Sequence, residues 1–202
     1  MAVTEYATRE ELKLHLSIEA DDTSRDALLD RVLKAASRGI DKATGRPSRG
    51  FWLDDEPTAR TYRLDGRIVC RREGDLLLVD EIGVSTDMLV ETGAGASWSA
   101  LTGYETTPDN ALADGRPVTG LLRIGSTWGT ASTRIRITAR FGWPTIPDDI
   151  TEACLIQASR LFKRKDSPEG VMGSSEWGVV RLSRRDPDVW NLIEPYRIDG
   201  FG

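Results

Sequence analysis

The spacing of apolar residues changes twice along this chain, and that limits the folds open to it. After Asp21-Asp22-Thr23, the residues Leu28, Leu29, Val32, Leu33, Ala36 and Ile40 recur three and four apart, the stripe of a helix with one buried face. Over residues 45–147 short apolar runs separated by turn signals take over. Thr61-Tyr62-Arg63-Leu64 precedes Asp65-Gly66, and Ile68-Val69-Cys70 follows. Leu76-Leu77-Leu78-Val79 follows Gly74-Asp75, Met88-Leu89-Val90 precedes Glu91-Thr92-Gly93, and Leu121-Leu122-Arg123-Ile124 precedes Gly125. The sharpest pattern is Ile135, Ile137, Ala139 and Phe141 alternating with Arg134, Arg136, Thr138 and Arg140, a half-buried strand with a basic outer face. Helical spacing then returns with Ile150, Ala153, Cys154, Gln157, Ala158, Leu161 and Phe162.

Helical ends around a turn-rich middle predict an α+β fold. Helices from both ends form one core, and an antiparallel β-rich module, a sandwich or small barrel, is inserted between them. The boundaries expected are 1–46 for the N-terminal part of the core, 47–146 for the module and 147–202 for the C-terminal helices. Local signals support the helix ends. Thr8-Arg9-Glu10-Glu11 is a capping box that opens a short helix ending near Leu16. The long helix, expected over 22–44 with a cap from Asp21-Asp22-Thr23, stops at Thr44-Gly45 before Arg46-Pro47. Pro147 with Asp148 and Asp149 suits a helix start. Asp186-Pro187-Asp188 caps a last helix bearing Val189, Trp190, Leu192 and Ile193, which Pro195 ends. The polar stretch 93–120 is expected to be partly a long loop.

Composition narrows the chemistry. A formal charge of −5 without a basic tail disfavours a dedicated nucleic-acid binder. No run approaches the ~18 apolar residues of a membrane span, and the first residues carry no signal-peptide pattern. Cys70 and Cys154 stand far apart among apolar residues and are expected to be reduced core residues. His15 is the single histidine and is expected on a helix surface, so histidine-based catalysis and metal binding have little to work with. The carboxylate groups Asp54-Asp55-Glu56 and Asp80-Glu81 read as a solvated turn and a strand-end turn. A hydrolase would need Asp80 or Glu81 to meet another carboxylate. Gly93-Ala94-Gly95-Ala96 lacks the third glycine of a dinucleotide loop, and no phosphate loop is present. No cofactor and no catalytic residue are expected.

What remains is contact chemistry. Arg134, Arg136 and Arg140 share a strand face, and Arg181, Arg184 and Arg185 cluster before the last helix. Such rows can contact phosphates or form interface ion pairs, and subunit-interface pairs are expected for the first three. Of the six Trp, Trp143 in Phe141-Gly142-Trp143-Pro144 is expected to anchor the core. Trp177, in a Gly/Ser-rich stretch, and Trp190 are expected at interfaces.

Several of these segments resemble the head–tail connector (adaptor) proteins of tailed bacteriophages. The N-terminal part is similar in its acidic pair, leucine-rich helix and Thr44-Gly45-Arg46. The run Thr138-Ala139-Arg140-Phe141-Gly142-Trp143-Pro144, continued by Ile146-Pro147 and Ile150, resembles connectors of phages infecting actinobacteria. So do Ala158-Ser159-Arg160-Leu161-Phe162-Lys163-Arg164 and the ending Val179-Val180-Arg181-Leu182-Ser183 with Asp186-Pro187-Asp188 and Pro195-Tyr196-Arg197. The resemblance implies a non-enzymatic virion protein of the neck, assembled in the host bacterial cytoplasm. It implies a homo-oligomeric ring, twelve subunits by likeness to the family, beneath the portal protein and above a tail-side connector or stopper protein. Genomic DNA would pass through its channel without specific binding, and no membrane is involved. Trp177, Arg181, Arg184, Arg185, Trp190, Ile193, Tyr196 and Arg197 would be portal contacts. Deleting residues 186–202 is then expected to leave a folded chain that no longer binds portal. The alternative is a nucleic-acid-binding accessory protein that uses Arg134, Arg136 and Arg140.

Overall fold

The helices at the two ends of the chain pack on one another, and the strands between them form a unit of their own. The computed structural model describes residues 5–47, 49–164, 171–172, 180–181 and 186–198. One compact unit comprises Met1–Gly50 with Ile146–Gly200, and the other Phe51–Thr145.

In the helical unit, α1 spans Arg9–His15 and α2 spans Asp26–Ala43. The capping box of α1 forms as expected: the Glu11 amide donates to the Thr8 hydroxyl, and the Thr8 amide donates to the Glu11 carboxylate at 2.7 Å. The long helix begins later than the acidic pair suggests. Asp22 instead accepts hydrogen bonds from the Ser24 amide and hydroxyl, closing a local turn, and Arg25 occupies the cap position without a side-chain bond. Asp26 in the first turn of α2 pairs with Lys13 at 2.7 Å and Arg9 at 2.9 Å, which fastens α1 to the start of α2. The other end of α2 matches its sequence signal: Thr44 closes the helix and Gly45 follows at φ 81°.

The helix α3, Asp148–Lys163, lies against α2 with Ile150, Ala153, Cys154, Ala158 and Phe162 buried. Two short strands, β8 (Val171–Met172) and β9 (Val180–Arg181), pair antiparallel. The last helix, α4 (Pro187–Ile193), runs into a 3₁₀ turn at Glu194–Tyr196.

A buried polar cluster ties the chain start to this unit. The Tyr6 hydroxyl donates to Asp41, and its amide donates to Ser37, whose hydroxyl sits 3.4 Å from the Cys154 sulfur. Burial pushes the Asp41 carboxyl above the usual carboxylate range, and the Tyr6 bond, Arg38 and Arg46 pull it back. An acid raised in the fold favours folding at low pH, and that advantage is lost as pH rises through the raised value. Tyr6→Phe removes a donor that favours the ionised form. It is expected to cost about 1–3 kcal/mol, with a larger deficit at neutral pH than in acid. Denaturant melts at two pH values check this; an equal deficit at both would refute the assignment.

The second unit is built on one very long strand. β1 (Thr58–Arg63) and β2 (Ile68–Cys70) precede β3 (Gly74–Ala94), which turns tightly at Gly95 into β4 (Ser97–Ala100). β5 (Glu105–Thr107), β6 (Val118–Ile124) and β7 (Arg134–Phe141) complete an antiparallel sheet of order β1-β7-β3-β6-β5, with β2 and β4 also paired to β3. The first half of β3 pairs with β6 and the second half with β7, and the register shifts between residues 78 and 89. Such irregularities bend a strand, and both halves contribute to one core of Leu77, Val79, Ile82, Val90, Leu121 and Phe141.

This arrangement corrects two expectations. The module is a single open sheet rather than a sandwich or closed barrel. Its path ends at β1 and at the three-residue β5, which are not paired with each other. Asp80-Glu81 lies inside β3 rather than at a strand-end turn. β7 matches its alternation fully, with Ile135, Ile137, Ala139 and Phe141 buried. Gly142 follows at φ 121°, where a Cβ would overlap the Trp52 carbonyl oxygen, so only glycine fits beside that backbone. Part of the stretch expected as loop is strand β4 and strand β5.

Candidate functional site

A groove of about 490 Å³ lies beside α4 in the helical unit. Ile40, Lys42 and Ala43 from the last turns of α2 line one side, and Trp190, Ile193 and Arg197 the other. Local sequence sets α4 in place. Asp186 caps it by accepting from the amides of Asp188 at 2.9 Å and Val189 at 3.4 Å, with Pro187 in the first turn. The same carboxylate pairs with Arg160 of α3 at 3.0 Å. Val189 and Ile193 are buried.

The segment after α4 is also tied down. Arg46 donates to the carbonyls of Tyr196 and Thr44, the Ile198 amide donates to the Thr44 carbonyl at 3.0 Å, and the Tyr196 hydroxyl donates to Asp149 at 2.8 Å. Trp190 is half-buried, and the exposed Arg197 guanidinium sits 5.2 Å from its ring centroid. The groove is thus mixed: apolar side chains of α2 and α4 share its lining with Lys42, Gln157, Asp186 and Arg197.

Of the residues singled out from sequence, Trp190, Ile193 and Arg197 come together here, with Tyr196 just behind. Ile193, at 3% exposure, belongs to the packed interior of this unit. Trp177, Arg184 and Arg185 lie outside the described residues, as does the side chain of Arg181. Sequence reasoning missed Lys42 and Ile40 as the facing wall. The place of Ile40 on the α2 stripe was legible, but the space α4 leaves over it was not.

The strand arginines do not form an open cationic row. Arg136 makes a bidentate pair with Glu91, its cross-strand partner, at 2.7 and 2.8 Å, and lies 4.4 Å from the Trp98 ring centroid. The Glu91 carboxyl is held below its usual range by that hydrogen bond. Arg140 donates to the Asp54 carbonyl at 2.8 Å, and Arg134 donates to carbonyls of the preceding turn.

The carboxylates are similarly engaged. Asp80 pairs with Arg60 at 2.7 Å and Arg67 at 3.5 Å, and Glu81 accepts from the Trp143 indole at 2.9 Å. Among the described residues no three His, Cys, Asp or Glu side chains are placed to hold a metal, and no helix is long and apolar enough to cross a membrane. Cys154 is buried as expected, but Cys70 is exposed; its three-residue strand is paired along β3 only at the margin of the sheet. Trp143 is a buried anchor, 5.4 Å from Phe51 between ring centroids.

No family model and no curated protein sequence matches this chain. Solved structures do. A chain from the neck of an empty GTA particle, computed with C6 symmetry, is 18% identical, with a TM-score of 0.54 over 99% of this chain and 94% of that one. A chain from the virion of a native gene transfer agent (GTA) particle is 19% identical, with a TM-score of 0.51 over 100% of this chain and 97% of that one. The α+β fold is thus shared over nearly the whole chain with these two GTA chains.

Proposed function

We propose that this chain is a structural subunit of the neck of a tailed, virus-like particle: a head–tail connector that forms a ring beneath the portal. The observation that carries this reading is the full-length match in fold to chains of the GTA neck and virion. It agrees with the connector resemblance of the sequence. In this reading the ring has twelve members, joins capsid to tail through the portal above and a tail-side connector or stopper below, and extends the DNA channel. A net charge of −5 suits a conduit, because phosphate contacts would retain the passing duplex. A heterologous contact repeated about an axis closes such a ring.

Portal contact is assigned to Trp190, Tyr196 and Arg197, with Trp177, Arg181, Arg184 and Arg185 nearby in sequence. Subunit contact by Arg134, Arg136 and Arg140 has to work through an arrangement in which Glu91 already neutralises Arg136. Purified particles test the reading. The protein is expected in a ring at the neck by electron microscopy and in the particle's protein composition. Its absence from complete particles ends the proposal.

A further inference from the structure

The geometry points to the subunit contact of this ring: Leu14 of one copy seats in the α2–α4 groove of the next. This rests on the ring reading above; it moves Trp190 and Arg197 from the portal face to the subunit contact, in place of the Arg134, Arg136 and Arg140 face. Leu14 is the most exposed large apolar side chain among the described residues, at 82% exposure. It stands on α1 with Glu10 four and Glu11 three residues earlier, on the same helix face and likewise exposed, Glu11 being held by the Thr8 cap. The feature is therefore an apolar knob flanked by acid.

The groove has the complementary character. Ala43, Trp190 and Ile193 give it an apolar part, beside the Gln157 amide and the cations Lys42 and Arg197. Its remaining acid, Asp186, is held by Arg160. An exposed leucine buried there leaves water, and Glu10 meets the rim cations.

The two surfaces do not meet within one chain. α1 is fastened to Asp26 and Asp30 at the start of α2. The groove lies by Gly39–Ala43 at the other end, about 20 Å along the helix axis at 1.5 Å per residue. A knob at one end and a socket at the other make a head-to-tail contact, the kind that generates rings. Two copies could also fill both sockets as a reciprocal pair; copies carrying both cysteines would then link no further than dimers, and the ring contact would be wrong.

Cysteine cross-linking of the full chain tests this in a Cys70→Ser background, since Cys70 is the exposed native thiol. The two reporting positions are Leu14→Cys and Gly39→Cys; Gly39 faces open space, with nothing within 4 Å of an added Cβ. With a short bismaleimide and concentrated protein, the double variant is expected to give a ladder of linked oligomers. Each single variant alone should stay unlinked, and a mixture of the two singles should stop at dimers. Leu14→Asp is expected to raise the concentration needed for assembly at least about tenfold. Glu10→Lys and Lys42→Glu should each weaken assembly, and together restore it.

Linking by Leu14→Cys alone overturns the proposal in favour of a symmetric pair. A ladder that appears only after removal of residues 199–202 overturns it in favour of the chain's own end filling the groove. If the wild-type chain sediments as a ring but positions 14 and 39 never link, this contact is wrong and the ring reading stands. If the chain is absent from particles, the ring reading fails whatever the cross-links show.

Discussion

Phe141→Ala is expected to destabilise the sheet unit by about 3–5 kcal/mol, the range for truncating a fully buried phenylalanine. Three features put this residue at the upper end of sensitivity. Its side chain has 0% exposure and sits in the core shared by both halves of the sheet. The Arg60 guanidinium lies 3.7 Å from its ring centroid while pairing with Asp80, so the ring also supports an ion pair. Its backbone carbonyl accepts from the Asp54 amide at 2.7 Å, just before Gly142 passes Trp52. Collapse into the vacated space is therefore blocked on the backbone side. Urea unfolding followed by circular dichroism checks the value; a loss below about 1 kcal/mol would mean that the two halves of the sheet do not share one core.

Removing residues 186–202 is expected to destabilise the helical unit by about 3–6 kcal/mol, from the transfer energy of two buried aliphatic side chains. The burial of Val189 and Ile193 argues against the expectation that such a truncation leaves a folded chain. Val189 and Ile193 are interior residues, Asp186 pairs with Arg160, and Arg46 and Thr44 hold the backbone of Tyr196 and Ile198. Truncation also opens the face of α2 around Ile40 to water. Thermal melts and limited proteolysis check this: the truncated chain should lose its protected helical fragment. Arg197→Ala, at an exposed side chain, should leave the melting temperature unchanged. Any loss of partner binding in that variant then reports contact rather than unfolding. An unshifted melt for the truncation would show that α4 is dispensable to the core.

The helix ends show how much could be read beforehand. The Thr8 capping box, the Thr44-Gly45 stop and the Asp186-Pro187 start formed at the residues that carry their signals, because a cap is satisfied by atoms three or four residues away. The start of α2 did not, because Asp22 closed a competing turn with Ser24 and Asp26 was recruited by Lys13 across a gap in sequence. The strand alternation of Ile135, Ile137, Ala139 and Phe141 was legible for the same local reason as the caps. The continuity of β3 was not. Gly83, Ser85 and Asp87 look like turn residues, and only pairing with β6 on one side and β7 on the other keeps them in one strand. That shared strand is also why an open sheet could take the place of a barrel.

The candidate site divides in the same way. Trp190, Tyr196 and Arg197 were singled out by residue type and position, and the connector resemblance came from short ordered motifs. Sequence alone thus determined the α+β class, the caps of α1 and α4, the amphipathic faces and which side chains are candidates for contact. Tertiary structure decided that Ile193 is interior and that Arg136 is spent on Glu91. It also set Leu14 near one end of α2 and a groove of mixed apolar and cationic lining at the other. The division is physical. Caps and periodicity are satisfied by neighbours a few residues off, whereas burial and ion pairing depend on partners brought together from distant parts of the chain.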